Sequence, residues 1–257
     1  MDFPIFQNGG VSLLTDSGNP LLCGGHSQTQ TCFEFVPEAN SFVESSTSLI
    51  GRRWHSAYAE FGTGAYWILS SNLDDAKGTS EIYENGVFRE GPSLAALSNA
   101  DYPCAAKVDD DITFYIGTRA YAYSRAQDRF LDISSNLPLR ERSSCGAFTA
   151  SDGSRRVVVA GGIDNSFNEV DEVYIYDFDT GEWTRGPDLP IADRLAREVQ
   201  TEKSFFLLGG RADNNEYLDT VIEFDPIAEQ WILRDETLSR GKYLFYAAPI
   251  DASLFCS

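Results

Sequence analysis

The stretch VVVAGGIDNSFNEVDEVYIYDFDTGEW, residues 157–183, combines three signals. An apolar run ends in Gly-Gly, a polar loop follows, and the run DEVYIYD (171–177) then leads through the turn FDTGE to a tryptophan. Apolar and polar residues that alternate give a β-strand one buried and one outward face. The two glycines stand where the backbone must bend closely or take a positive φ. Asp, Thr and Gly before Trp183 suit a hairpin bend.

The pattern recurs along the chain. Gly-Gly also closes the apolar runs LLCGG (21–25) and FFLLGG (205–210). Phe35 and Phe42, Tyr123 and Phe130, Tyr176 and Trp183, and Phe224 and Trp231 are each seven residues apart, and Tyr83 and Phe88 form a copy shortened by the tight turn ENG. Each unit reads as an antiparallel sheet with an aromatic residue on its last strand. A single sheet of this kind leaves a face uncovered, so copies must stack around an axis.

In its Gly-Gly pairs, its aromatic spacing and its repeat length the chain resembles the kelch repeats, the four-stranded blades of one class of β-propeller. The resemblance covers about residues 11–236 and implies one all-β domain over 1–257, a kelch-type propeller of four-stranded antiparallel blades. The repeats fall at about 11–48, 54–93, 104–137, 144–190 and 194–236. Repeat two carries Ser70-Ser71 in place of the glycines, and repeat three has only Gly117. Beyond repeat five, YLFYAAPIDASLFCS (243–257) reads as the start of a further blade, with LFCS aligned on LLCGG. The expectation is therefore a six-bladed propeller whose last blade is incomplete. Either DFPIF (2–6) supplies a closing strand or the chain is cut mid-propeller.

Composition narrows the partners. The net charge of −19, from 39 acidic and 20 basic residues, repels nucleic acid and anionic membrane surfaces. No apolar run approaches the roughly 18 residues of a membrane helix, and MDFPIFQNGG shows no basic-then-apolar leader.

Enzymes built on propellers resemble this fold and add distinctive residues. A copper radical oxidase would gather two histidines and two tyrosines on one metal, whereas His26 and His55 are the only histidines here and fall on different blade elements, expected on different faces. Repeated Asp-boxes of the sialidase kind are absent. The loop DNSFNEVDEV (164–173) lacks the central Gly and terminal Glu of a calcium loop, and Asp109–Asp111 reads as a turn. No catalysis and no cofactor are expected.

The arginines are more informative. GRRWHSAYA (51–59), RERSSCGAF (140–148), ADRLAREVQ (192–200) and SRGKYLFYA (239–247) each precede an inner strand. Arg53, Arg142, Arg194 and Arg240, with His55 nearby, are therefore expected at equivalent positions around one mouth of the central channel. Guanidinium groups gathered there would suit carboxylates or phosphates, and kelch domains that bind acidic peptides look like this. The competing reading gives each arginine a bridge inside the protein. The expected function is a non-catalytic module binding a protein or peptide, with an acidic ligand best suited. The alternatives are a propeller enzyme acting on carbohydrates or alcohols and a structural extracellular repeat unit. Oligomeric state is not readable from the sequence.

The blade scheme also assigns LLCGGHSQTQTCFEF (21–35). Cys23 ends one strand and Cys32 opens its antiparallel neighbour, close enough for a disulfide, with two reduced core thiols as the alternative. Kelch proteins with cysteines in these places look like secreted ones, so an extracellular protein is expected. The pairing of Cys104, Cys145 and Cys256 stays open.

Overall fold

The computed structural model describes residues 9–26, 30–61, 64–71, 73, 76, 78–94, 102–138, 141–201, 204–212 and 216–247. These form five four-stranded antiparallel sheets arranged as the blades of a propeller. Blade one holds β1 (Val11–Leu14), β2 (Pro20–Cys23), β3 (Thr31–Val36) and β4 (Ser41–Ser48). Blade two holds β5 (Ala57–Glu60), β6 (Ala65–Leu69), β7 (Ser80–Glu84) and β8 (Val87–Glu90). Blade three holds β9 (Cys104–Lys107), β10 (Ile112–Ile116), β11 (Ala120–Ser124) and β12 (Arg129–Asp132). Blade four holds β13 (Ser144–Thr149), β14 (Arg155–Ala160), β15 (Val173–Asp177) and β16 (Glu182–Arg185). Blade five holds β17 (Arg197–Gln200), β18 (Phe205–Leu208), β19 (Val221–Asp225) and β20 (Gln230–Leu233).

The aromatic spacing is a pairing rule. Phe35 faces Phe42, Tyr83 faces Phe88, Tyr123 faces Phe130, Tyr176 faces Trp183 and Phe224 faces Trp231 across the outer two strands. Their ring centroids lie 4.8–5.4 Å apart, the range in which aromatic pairs attract beyond simple burial. A hairpin of fixed length fixes the register, and the shorter turn at Asn85-Gly86 gives the five-residue copy.

Packing between blades supplies the core. One apolar cluster joins Leu13 and Leu21 of blade one to Ile68 and Tyr83 of blade two. A second joins Trp67 to Tyr115 and Tyr123, a third Phe114 to Val157 and Val159, and a fourth Val158 to Leu207 and Phe224. Fully buried side chains of this size each contribute about 1.5–3 kcal/mol. Among the described residues no such cluster joins blade five to blade one.

That junction corrects the expected blade number. Residues 241–247 form no strand, so among the described residues the ring has five blades rather than the expected six. The segment crosses from blade five to blade one as a strap. Its polar groups bind the neighbouring blades in place of a strand partner. Lys242 accepts from the Gly210 amide at 2.7 Å, and Leu244 accepts from the Gly9 amide at 2.7 Å. The Tyr246 hydroxyl donates to the Gly24 carbonyl at 2.8 Å, and the Ala247 amide donates to Ser12 Oγ at 3.1 Å. DFPIF (2–6) and residues 248–257, Cys256 among them, lie outside the described residues.

The glycine pairs clasp one blade to the next. At blade four the Gly162 amide donates to the Asp193 carbonyl of blade five's entry loop at 2.7 Å. Gly161 (φ 64°) lies beneath that oxygen, and a Cβ there would sit 2.3 Å from it. Gly25 donates likewise to Arg53 at 2.8 Å. In repeat two Ser70 takes the left-handed conformation instead, at φ 60°.

Two disulfides staple the ring. Cys23–Cys32 clamps β2 to β3 within blade one, and Cys104–Cys145 links the inner strands of blades three and four. Both pairs are almost wholly buried.

Gly161→Ala should cost about 3 kcal/mol or more, from the left-handed conformation and a clash with rigid backbone. Gly18→Ala, at φ 78° with open space around it, should cost only about 1–2 kcal/mol. Urea denaturation of both variants checks the difference. Loop entropy orders the disulfides: the bridge spanning 41 residues should stabilise by about 4 kcal/mol and the one spanning 9 by about 2–3 kcal/mol. Cys→Ser pairs at each bridge, compared by denaturant midpoint, test that order.

Candidate functional site

Each inner strand is entered through one left-handed residue. Gly9 (φ 72°), His55 (54°), Tyr102 (55°), Arg142 (59°) and Leu195 (60°) stand two positions before β1, β5, β9, β13 and β17, and Leu244 (50°) takes the same conformation in the strap. Such angles are unusual for bulky side chains. Backbone bonds between neighbours offset their cost. His55 N–H donates to Gly9 at 2.7 Å, Gly9 to Leu244 at 2.7 Å, Leu244 to Leu195 at 3.4 Å and Leu195 to Arg142 at 3.2 Å. The result is a ring that constricts one end of the central channel, with a cavity of only about 30 Å³ beneath it.

The ring sets a common register for the arginines and shows that they are not equivalent. Arg142 is a ring member, Arg194 precedes Leu195 by one residue, Arg53 precedes His55 by two, and Arg240 precedes Leu244 by four. Their surroundings differ accordingly.

Arg53 does not line the mouth. It is 1% exposed, with Nε 2.6 Å from Glu81 Oε1, itself 1% exposed. Its Nη1 donates to the carbonyls of Ser70 at 3.0 Å and Thr79 at 3.2 Å. Glu81 also accepts from the amides of Ile50 at 2.7 Å and Gly51 at 2.9 Å. This is a fully coordinated buried pair that ties the blade-two entry loop to β7. Arg194 is similarly engaged, with Nη2 2.9 Å from Glu169 Oε1 and both side chains about nine-tenths buried. Arg240 is exposed, on the approach to the strap.

Arg142 is different. Its guanidinium carbon lies 5.0 Å from the Tyr102 ring centroid, within cation–π range. Its Nε is buried without a hydrogen-bond partner, and among the described residues it has no ion pair. Beneath it the rings form a column: Tyr102 stacks on His55 at 4.1 Å, His55 on Trp54 at 4.2 Å, and Trp54 meets His26 edge-on at 5.0 Å. The two histidines thus share one face, contrary to the sequence expectation, because the loop after Gly25 and the entry loop of blade two meet at the clasp. Burial, then the positive charge of Arg197, then His26 and Arg142, lower the His55 pKa from 6.5 to about 3. His55 is therefore neutral at ordinary pH and serves as a stacking surface.

Sequence reasoning missed Tyr102 because repeat three has no arginine there. Counting two residues back from the inner strand would have found it. Arg197 was also missed, as a charge inside an inner strand where other blades carry Val11 or Ala57. The acidic clusters staple turns: Asp109 accepts from the amides of Asp111 and Ile112, and Asp164 from those of Ser166 and Asn168. Among the described residues no three His, Cys, Asp or Glu side chains converge on a common point.

Comparison with known proteins agrees with this architecture. Residues 153–190 match the family model described as the Kelch motif. Over those residues the chain is similar to the Kelch motif, and the fold as a whole is a β-propeller. Among solved structures, the structure of YjhT superposes with a TM-score of 0.72 and 11% identity, over 91% of this chain and 86% of that one. At that identity the likeness concerns the fold. A search of curated proteins finds no match.

The unfolded chain protonates His55 near pH 6.5, the folded one near 3. The unfolded state binds the extra proton throughout that window, so this group's stabilisation is lost as the pH falls from about 6.5 towards 3. His55→Asn, which tolerates the left-handed angle, should lose less stability than the parent between about pH 7 and pH 4.5. Urea midpoints at the two pH values measure it.

Proposed function

We propose that the kelch propeller binds an acidic segment of a partner protein on the face that carries the blade-entry loops, and that Arg142 reads a carboxylate of that segment. The observation that carries this reading is a guanidinium held on Tyr102 with no ion-pair partner among the described residues. A planar, permanently charged fork presented on an aromatic shelf suits forked hydrogen bonding to a carboxylate. Elsewhere the protein is strongly acidic, so an isolated positive group selects its ligand against a repulsive surround. Exposed Tyr217 and Phe167, at 51% and 70%, stand on loops of the same face and add aromatic contact area of the kind that dominates interfaces.

Two buried disulfides are compatible with an extracellular protein, and we take the partner to be met in an oxidising compartment.

Selection of short peptides from a displayed library on the purified chain tests the reading. Peptides enriched in Asp and Glu are expected, with affinity falling as salt rises. Arg142→Ala should weaken them by about tenfold or more, whereas Arg53→Ala should lower stability through its orphaned Glu81 partner. Acidic peptides that bind Arg142→Ala as tightly as the parent would refute the assignment.

A further inference from the structure

Behind the ring the channel widens into a cavity of about 790 Å³, walled by the inner strands of all five blades and by Ala247 of the strap. Small residues such as Ser12, Ala105 and Ala147 leave this space, while Tyr58 and Tyr66 give it aromatic walls. The inner strands run from the constricted ring to the opposite face, where the Glu60 side chain is 51% exposed and Gln200 is exposed. The cavity therefore opens away from the face that carries Arg142.

One charge in this cavity has no carboxylate at ion-pair distance among the described residues. Arg197 is 6% exposed. Its Nε donates to the Phe245 carbonyl at 2.7 Å, its Nη2 reaches the Gly10 carbonyl at 3.5 Å, and its guanidinium carbon lies 5.6 Å from the Tyr58 ring centroid. Among the described residues Nη1 has no hydrogen-bond partner and no ion pair reaches the side chain. Lys107, Glu60 and Glu198 share the lining. Lys107 lies 3.3 Å from Glu60 and 3.1 Å from Asp110. Burial raises the carboxyl pKa of Glu198, while the charge of Arg197 and a hydrogen bond from Ser144 oppose this.

A buried guanidinium with spare donors is costly unless an anion completes it. A guanidinium without an ion-pair partner among the described residues matches a carboxylate, and the alanine and tyrosine walls match an apolar body. The volume is that of a small-molecule pocket. We propose that the channel is a binding site for a small amphipathic monocarboxylic acid, entering from the face opposite the ring and held by Arg197. This site shares no residue with the carboxylate reader at Arg142.

Calorimetric titration of the purified chain with phenylacetate, phenylbutyrate and N-acetylphenylalanine, each beside its primary amide, tests the proposal. At least one acid should bind saturably at one site, with its amide about tenfold weaker or worse. Arg197→Gln, which removes the charge, and Ala105→Phe, which fills the space, should each abolish that binding, and Arg142→Ala should leave it unchanged. If Arg197→Gln does not fold, Ala105→Phe alone decides. Failure of every acid to bind, equal binding of acid and amide, or binding that survives Ala105→Phe would overturn it.

Discussion

A backbone amide on the second glycine of a pair reaches out of its own blade and donates to a carbonyl in the entry loop of the next, at 2.8 Å from Gly25 to Arg53, 2.7 Å from Gly162 to Asp193 and 2.7 Å from Gly210 to Lys242. The bond needs the accepting oxygen where a Cβ on the first glycine would otherwise be. It fixes the entry loop two residues before a left-handed turn, and that turn starts the next inner strand. Register, ring and channel all follow from it. The third of these bonds ends on the strap, which extends the same geometry across the junction between blades five and one.

The strap explains why an acidic propeller concentrates arginines near its axis. Where apolar packing closes the other four junctions, hydrogen bonds close this one, and Arg197 supplies two of the donors. Arg53 and Arg194 do comparable work at the entry loops through Glu81 and Glu169. Arg53 and Arg194 are thus drawn into structure, Arg197 joins the strap while facing the cavity, and Arg142 is held by an aromatic face in place of a carboxylate. The distinction between structural and ligand-reading arginines rests on these local partners and not on position along the repeat.

The repeat itself was legible because its signals are geometric. A hairpin sets the seven-residue aromatic spacing, and glycine is nearly obligatory where two backbones meet. The arginine register was not legible, since entry loops differ in length and the left-handed position is filled by Gly, His, Tyr, Arg and Leu, which share no chemistry. The apolar run at 243–247 resembles an inner strand in composition, but its backbone and hydroxyl groups go to Gly9, Ser12, Gly24 and Arg197. Composition cannot distinguish those partners from a neighbouring strand. The Cys23–Cys32 pair could be anticipated from adjacent strands, whereas Cys104–Cys145 joins two blades 41 residues apart, and five cysteines allow many pairings.

These inter-blade amide bonds hold the ring together, and amide hydrogen exchange at Gly25, Gly162 and Gly210 measures them directly. Exchange as slow as that of the core strands, through global unfolding alone, is expected. Exchange at these three amides as fast as in an unstructured peptide, with the strands still protected, would contradict it.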